Sequence, residues 1–241
     1  LALRPFSSLD DIRRNLDLIS EMNDLFKFDG GPPDLEFNDL AARVESAIAN
    51  GDIFEPKALL EFANFFKTVM ECQKINPKYK TLHDILKGLI YPEDLHNKIE
   101  LSVDTSGEIK DSASPELKKI RRELAGVKSK LNINFEQYIH SDTSSILSDK
   151  VFSIRDGRYV LPVKESEKSK FKGIIHDRSS SGATFFIEPS ESVELNNRHR
   201  ELETAEREEI NRILRLLTEM IFRDFEIIKN LHFKSTFGVD Y

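Results

Sequence analysis

Two segments with helical apolar spacing bracket a short β-like block, and this order constrains the fold more than any other feature of the chain. The first segment opens at Ser114-Pro115-Glu116, which supplies an N-cap and a first-turn proline, and its apolar residues recur every three or four positions from Leu117 to Tyr138. The second segment, residues 191–231, carries a comparable stripe: Ile210, Ile213, Leu214, Leu217, Ile221, Ile228 and Leu231. At 1.5 Å per residue these helices would reach about 35 and 60 Å. We predict two antiparallel helices of unequal length, a lever, joined by a β tip.

The block between the two helices has the alternation of a small antiparallel sheet. Residues 158–164 place Tyr159, Leu161 and Val163 on one face, so this strand is predicted to be half buried. Pro162 has no N–H to donate to a neighbouring strand, which predicts an edge position or one that faces solvent. Such a sheet has little core of its own, so we expect it to be mobile until it grips a partner.

Two further strands are predicted, at residues 172–177 and 183–188. Residues 165–170 would form a hairpin loop after the first strand. Ser179-Ser180-Ser181-Gly182 would be a flexible connection between the other two strands, with Gly182 free to take a positive φ.

Residues 1–113 have the patterns of an all-α core. A first helix over residues 9–26 would place Leu9, Ile12, Leu16, Ile19 and either Met22 or Phe26 on its apolar face. Further helices are predicted from Leu40 to Asn50, from Pro56 until Asn76-Pro77, over residues 81–88 and over residues 92–101. The predicted fold class is mainly α, with a helical core over 1–113, an ascending lever helix over 114–145, a β clamp over 146–189 and a descending lever helix over 190–235 that returns to the core.

Charge is distributed unevenly along the chain. Between Lys150 and Arg178 there are eight Lys and Arg residues against four Asp and Glu residues, in a chain of formal net charge −7. A positive island on an acidic body is typical of a surface that meets phosphates, although a solvated hairpin with ordinary lysines is the other interpretation. We predict that the island binds nucleic-acid backbone with strong salt dependence and weak sequence preference. The candidate binding residues are Lys164, Lys168, Lys170, Lys172, Arg178, Ser179, Ser180 and Ser181.

Two features of the descending helix also need an interpretation. Asn196-Asn197 lowers helix propensity, so these side chains are predicted to cap the clamp or to contact a neighbouring element. The Glu and Arg residues between Arg198 and Arg212 are spaced for pairs within the helix, which would keep an exposed helix straight.

Three motifs in this region carry a resemblance to a known family. The sequences RDGRYVLPVK, KGIIHDRSSSGATFFIEP and VELNNRHRELE follow one another from Arg155 to Glu203. They resemble the clamp segment of MutS-type ATPases, specifically the bacterial type II branch that lacks a mismatch-sensing domain. The resemblance is dense from Asp111 to about Glu209, thinner over residues 1–110, and covers only the part before the ATPase. It implies levers that rise from a core and end in a clamp.

For a full protein, the resemblance implies more than these residues can carry. It implies a homodimer whose cycle of ATP and Mg²⁺ opens and closes the clamps around branched or mismatched DNA, in DNA repair and suppression of recombination. It also implies an ATPase domain and, usually, a C-terminal Smr nuclease domain, and an action on stalled ribosomes is ascribed to this branch. Because the chain starts at Leu1 without Met and stops at Tyr241 without a tail-like composition, we expect a fragment of a longer protein. The fragment itself is expected to bind DNA, to hold no cofactor and to have no enzyme activity.

Composition and spacing argue against several other classes. No apolar run could span a bilayer and there is no signal sequence, so a cytoplasmic protein without a membrane partner is predicted. The single Cys72 allows no intrachain disulfide, and neither a metal-binding spacing nor a G-x-x-x-x-G-K-[ST] loop occurs. His176-Asp177 beside three serines does not predict a hydrolase triad, because neighbours along a strand point to opposite faces. Two alternatives stay open: a dimerisation module that uses the two helical stripes, and a clamp that binds RNA or the ribosome.

Overall fold

The structure, a computed structural model, describes residues 8–33 and 39–237, with side chains as far as Leu231. The chain divides into two compact units, one formed by Leu1–Ala113 with Ile213–Tyr241 and the other by Ser114–Arg212. The described residues form eight α-helices and a four-stranded antiparallel sheet. The predicted fold class, mainly α with a small β sheet, is therefore confirmed.

The helices follow the sequence signals closely at their starts. They are α1 (Leu9–Phe28), α2 (Leu40–Asn50), α3 (Pro56–Gln73), α4 (Lys80–Lys87), α5 (Glu93–Ser102), α6 (Pro115–His140), α7 (Val193–Arg223) and α8 (Phe225–Phe237). The strands are β1 (Ser153–Arg155), β2 (Arg158–Lys164), β3 (Gly173–Arg178) and β4 (Thr184–Pro189). Short 3-10 turns lie at Asp111–Ala113, Asp142–Ile146, Glu165–Glu167 and Ser190–Ser192.

The first unit is an all-α core. Pro56 occupies the first turn of α3, as predicted, and α3 contributes the fully buried rings of Phe62, Phe65 and Phe66. Gly51 ends α2 with a φ of 70°, the left-handed conformation that glycine adopts at low cost. The second half of α7 and α8 belong to this unit, where their stripe is buried: Ile213, Leu217, Ile221, Ile228 and Leu231.

Helix α1 forms where it was predicted, but the first unit buries a different face from the predicted apolar stripe. Leu25 is buried, and Leu18 and Met22 pack with it against Tyr79 and Leu82 beside and within α4. Of the two residues offered as the end of the stripe, Met22 packs in this cluster and Phe26 is exposed, as are Leu9, Ile12, Leu16 and Ile19. Both faces of this helix carry apolar side chains, so periodicity alone could not say which one the rest of the chain covers.

The descending helix is shorter than predicted because it is interrupted at Asp224. Helix α7 has 31 residues, which is about 46 Å, and α8 starts at Phe225. Backbone hydrogen bonds continue across the interruption, from Asp224 to Met220 (3.0 Å) and from Ile228 to Asp224 (3.1 Å). The apolar stripe therefore runs on into α8 despite the break.

In the second unit, α6 and the first part of α7 pack side by side and antiparallel. Ile120 and Leu124 of α6 form a buried cluster with Leu202 of α7. Two ion pairs also join the helices. Arg121 of α6 is bound to Glu206 of α7, and Arg198 of α7 to Glu123 of α6, each at 2.7 Å. The prediction was that the Glu and Arg residues of α7 pair within their own helix. The structure shows that some of them pair with α6.

Most residues of the two helical stripes are buried, each within its own unit. Leu117, Leu131 and Phe135 of α6 are buried within the second unit, whereas the stripe that starts at Ile213 is buried within the first. The alternative of a dimerisation module that uses these stripes stays a prediction.

The sheet has the strand order β1-β2-β4-β3, with all neighbours antiparallel. The predicted hairpin of the first two long strands was wrong, because β4 lies between β2 and β3 and the segment 165–170 crosses to the far edge. The predicted edge or solvent-facing position of Pro162 was also wrong, since β2 is internal and Pro162 is buried. Pro162 is tolerated in β2 because a proline lacks an N–H only on the side that faces away from β4. The carbonyl of Pro162 accepts from the Ser148 N–H (2.8 Å), and the nitrogen and carbonyl of one strand residue point to the same side.

Candidate nucleic-acid interface

One face of the sheet rests on α6 and shares a core with it. The buried cluster joins Leu131, Phe135 and Ile139 of α6 to residues of the sheet and its approach: Leu147, Tyr159, Leu161, Val163 and Ile187. The rings of Phe135 and Tyr159 lie 5.8 Å apart. The expectation that the sheet has little core was therefore wrong, and β2 is buried on both faces and not on one.

A buried polar network ties the other face of the sheet to α7. The carboxylate of Glu188, fully buried on β4, accepts two hydrogen bonds from Nη1 of Arg158 (2.8 and 3.0 Å) and contacts Nε2 of His176. The second guanidinium nitrogen of Arg158 donates to Oδ1 of Asn197 at 2.7 Å. Arg158, one of the eight cations of the basic island, is therefore used to hold the sheet together.

Asn196 makes the second link between α7 and the sheet. Its side chain is fully buried, accepts from the Tyr159 N–H (2.9 Å) and donates to the Tyr159 carbonyl (3.1 Å). Of the two roles predicted for the asparagines, capping the clamp or contacting a neighbouring element, the structure shows the contact. Both asparagines fix the base of β2 on the helix.

At the opposite end of β2, the segment that follows it lies against the β3–β4 turn. The N–H of Glu165 donates to the carbonyl of Ala183 at 2.9 Å. Lys164 donates to the carbonyl of Ser145 (2.8 Å), while Lys168 and Arg178 lie over the ring of Phe185, with 4.6 and 5.4 Å to its centroid. We call these three cations, with Ser179, Ser180 and Ser181, the loop–turn cluster.

The serine turn is closed by hydrogen bonds, although a flexible connection had been predicted. The Ser179 N–H donates to the carbonyl of Thr184 (2.9 Å), and the Ser179 carbonyl accepts from the Gly182 N–H (2.8 Å). The Ser179 hydroxyl accepts from the Thr184 N–H at 3.1 Å. The hydroxyl of Ser181 lies 3.3 Å from that of Ser179. Gly182 takes a φ of 76°, and a Cβ there would collide with the guanidinium of Arg178. Ser180 is exposed and makes no hydrogen bond with any other described residue.

The remaining predicted residues lie elsewhere. Lys170 pairs with Glu167 at 2.8 Å. The carbonyl of Lys172 accepts from Ser190 N–H (3.2 Å) just before the start of β3, about 20 Å along the strand from Arg178. The structure thus places six of the eight predicted residues at one end of the sheet, pairs Lys170 with Glu167 beside them, and places Lys172 at the other end of β3.

Sequence reasoning missed Phe185 as the platform shared by two of the cations. Aromatic side chains hold cations over their faces, so the ring positions Lys168 and Arg178 without neutralising their charges. The only signal in the sequence is the Phe185-Phe186 pair directly after the serine turn. Phe186 lies on the other face, under Arg155 (4.2 Å), which also pairs with Asp177 at 3.3 Å.

Comparison with known proteins shows where the chain belongs. No protein-family model matches it. The protein named endonuclease MutS2 from Lactobacillus johnsonii is 34% identical over 238 residues, which is 95% of this chain and 30% of that protein. Proteins of the same name from Halothermothrix orenii and Caldanaerobacter subterraneus are 35% identical over 253 residues and 37% identical over 241 residues, covering 99% and 93% of this chain but 32% and 30% of their own lengths. The chain is a stretch of a MutS2-type protein. It spans about 30% of the length of these relatives.

The residues singled out for a hydrolase triad are not brought together in the MutS2-type chain. His176 is bound to Glu188, Asp177 to Arg155, and the serines lie in the turn beyond them. Among the side chains of residues 8–33 and 39–231, no three of His, Cys, Asp or Glu are grouped as metal ligands. None of the helices in that part of the chain is long and apolar enough to cross a membrane.

Proposed function

We propose that the loop–turn cluster binds the phosphate backbone of DNA and that this part of the MutS2-type protein holds the nucleic acid on which the whole protein acts. The observation that carries the proposal is the contact between Glu165 and Ala183, since it brings two polar loops from different strands into one exposed cluster. Lys164, Lys168 and Arg178 then lie at the same end of the sheet in a chain of net charge −7. Cations gathered on an otherwise acidic protein are the electrostatic signature of a phosphate-binding surface.

The contacts of Lys168 and Arg178 support phosphate binding. Lys168 has an exposed partner in Glu165 at 3.3 Å, a kind of pair that contributes little in water and can be exchanged for phosphate. The guanidinium of Arg178 has no carboxylate partner among the described residues, and it lies over Phe185 and beside Gly182. A guanidinium held in this way presents a planar fork that suits bidentate contact with phosphate. Ser180, exposed at the turn, can add a hydroxyl hydrogen bond.

The cluster offers no group placed to read base edges, so the shape of the DNA and its backbone charge, and not its base sequence, would govern binding. Neutralising three phosphates would make the logarithm of the binding constant fall with the logarithm of salt concentration at a slope of roughly −3. The name of the relatives, endonuclease, points to cleavage of nucleic acid by the whole protein. In our proposal this part supplies the grip, and the ATP- and Mg²⁺-dependent steps, the cleavage and the homodimer belong to the complete protein.

The test is the binding of this chain to duplex and four-way-junction DNA across a salt series. We expect Lys168→Glu with Arg178→Glu to weaken binding by about tenfold or more at low salt and to reduce the slope by about 2. Lys170→Glu with Lys172→Glu is the matched control, because it makes the same change of charge at residues outside the cluster. Circular dichroism and melting of each variant would show that the fold is kept.

The outcome that contradicts the proposal is equal loss in both double variants, since that would report net charge and not a site. Binding of the wild-type chain to duplex RNA in preference to DNA, lost in the Lys168/Arg178 variant alone, would move the same cluster to the RNA or ribosome alternative. Absence of binding at low salt by the chain and by the full-length protein would remove the cluster as a nucleic-acid site.

A further inference from the structure

Helix α1 carries an apolar stripe that the rest of the described chain leaves uncovered. Its members follow each other at intervals of three, four, three and seven residues, which is the a/d spacing of a coiled-coil seam with Asn23 at the omitted position. The exposed fractions are 73% for Leu9, 38% for Ile12, 60% for Leu16, 59% for Ile19 and 61% for Phe26. We call these five residues the α1 seam.

The seam is held in place because the opposite face of α1 is anchored. Leu18, Met22 and Leu25 pack into the first unit, and the carboxylate of Glu21 accepts from the backbone N–H groups of Thr81 and Leu82 (3.1 and 2.8 Å). The first turn is capped by Ser8, which accepts from Asp11 N–H at 3.1 Å. The helix therefore cannot turn its seam inwards without losing this packing. A continuous apolar stripe on a fixed helix marks a surface that another element covers.

The charges beside the seam argue against a second copy of α1 as its partner. The e positions of this heptad register are Arg13, Ser20 and Lys27, and the g positions are Ser8, Asn15 and Met22. In a parallel pair of copies, the e residues would face the g residues of the other copy, and no acidic residue would face Arg13 or Lys27. In an antiparallel pair, Arg13 would approach Lys27 of the other copy. Arg13 and Lys27 are exposed, so a partner with acidic residues opposite them would be favoured.

Most of a MutS2-type protein lies outside these residues, since the relatives are about three times as long as the matched stretch. We propose that the α1 seam docks an amphipathic helix of the same protein from outside these 241 residues, with an apolar stripe against the seam and acidic residues facing Arg13 and Lys27. The polar Asn23, between Ile19 and Phe26 near the C-terminal end of the seam, would select the register of that helix. The seam is then an internal interface of the complete protein that this stretch displays uncovered.

The test compares thiol labelling of Leu16→Cys in the 241-residue chain and in the full-length protein. Cys72 is buried, which raises its pKa, so its own labelling is slow. We expect Cys at position 16 to react quickly in the chain and at least about tenfold more slowly in the full-length protein. The reason is that a thiol inside an interface reacts only when the interface opens. Ile90→Cys, at a position that is 73% exposed on the same unit, is the matched control and should react at the same rate in both.

Two further measurements decide the occupant. Adding Arg13→Glu and Lys27→Glu to the full-length Leu16→Cys protein should restore fast labelling if acidic residues face them. Equal rates at position 16 in the chain and the full-length protein would overturn the proposal. Protection in the chain alone that grows with its concentration, together with a doubled mass in sedimentation, would assign the seam to a second copy and would also overturn it.

Discussion

Arg158 and Arg178 lie 20 residues apart in the same basic block, and the fold uses them in opposite ways. Arg158 is bound on two sides, by the buried carboxylate of Glu188 and by Asn197. Arg178 lies over Phe185 and keeps its charge at an exposed end of the sheet. One arginine is a structural cation and the other is available to a ligand.

The difference comes from what β4 places opposite each arginine. Arg158 meets Glu188 near one end of β4, next to the helix α7, whereas Arg178 pairs in register with Phe185 near the other end. A charge opposite a buried carboxylate is neutralised, and a charge opposite an aromatic ring is not. A count of cations along the sequence therefore overstates the number that can meet phosphate.

The largest effect is expected from breaking the buried pair. Glu188→Gln leaves Arg158 and His176 without their shared carboxylate, and we expect the free energy of unfolding of the sheet to fall by about 3 kcal/mol, because an uncompensated buried charge remains. Since the chain has two units, the measurement is hydrogen exchange of the β2 and β4 amides in a urea series and not a single global melt.

The matched control removes a carboxylate from the exposed pair of the same block. Glu165→Gln affects the partner of Lys168 at 3.3 Å and should change stability by less than about 0.5 kcal/mol. An equal fall in the free energy of unfolding for Glu188→Gln and Glu165→Gln would mean that the buried and the exposed ion pair contribute alike to stability.

How far the sequence predicts this arrangement depends on the range of the interactions. Helix starts at Pro56 and Pro115 are local, since a cap and a first-turn proline act within one turn, and both were predicted. The later strands were predicted to within a residue from alternation and the serine turn. Strand order was not, because it depends on contacts between segments far apart in sequence, and the prediction for Pro162 failed with it.

The same limit applies to the candidate site. The basic island was visible as composition, but its division into a loop–turn cluster and a distant Lys172 required the position of β4 between β2 and β3. The α1 seam is the clearest case, because an apolar stripe predicts that something covers it without saying what. Leu16 lies on the predicted apolar face and is 60% exposed, and what covers it in our proposal is outside the 241 residues.

A smaller effect should follow from Asn196→Ala, which sharpens the comparison on the helix side. Asn196 satisfies both backbone groups of Tyr159, and its loss would leave them buried without partners, at a cost of about 2 kcal/mol. Asn197→Ala is the control, because Asn197 is exposed and Arg158 would keep Glu188, so we expect less than about 1 kcal/mol. The measurement is the same exchange series, and a larger loss for Asn197 would contradict the assignment.

The smallest effect concerns pH and the buried ring of His199, which stands 5.5 Å from that of Tyr159 at the joint between α7 and the sheet. Burial lowers the pKa of His199 from its ordinary value of 6.5, opposed by Glu203 on the same helix and assisted by Lys128 of α6. Because the folded state then binds this proton less readily than the unfolded state, its contribution to stability is complete above pH 6.5 and declines as the pH falls below that value towards the folded pKa. His199→Phe keeps a ring and removes the titration, so the stability difference between wild type and variant should shift in favour of the variant between neutral pH and pH 5. A difference that stays constant over that range would show that His199 does not gain a proton on unfolding, and the joint would then be insensitive to pH through this residue.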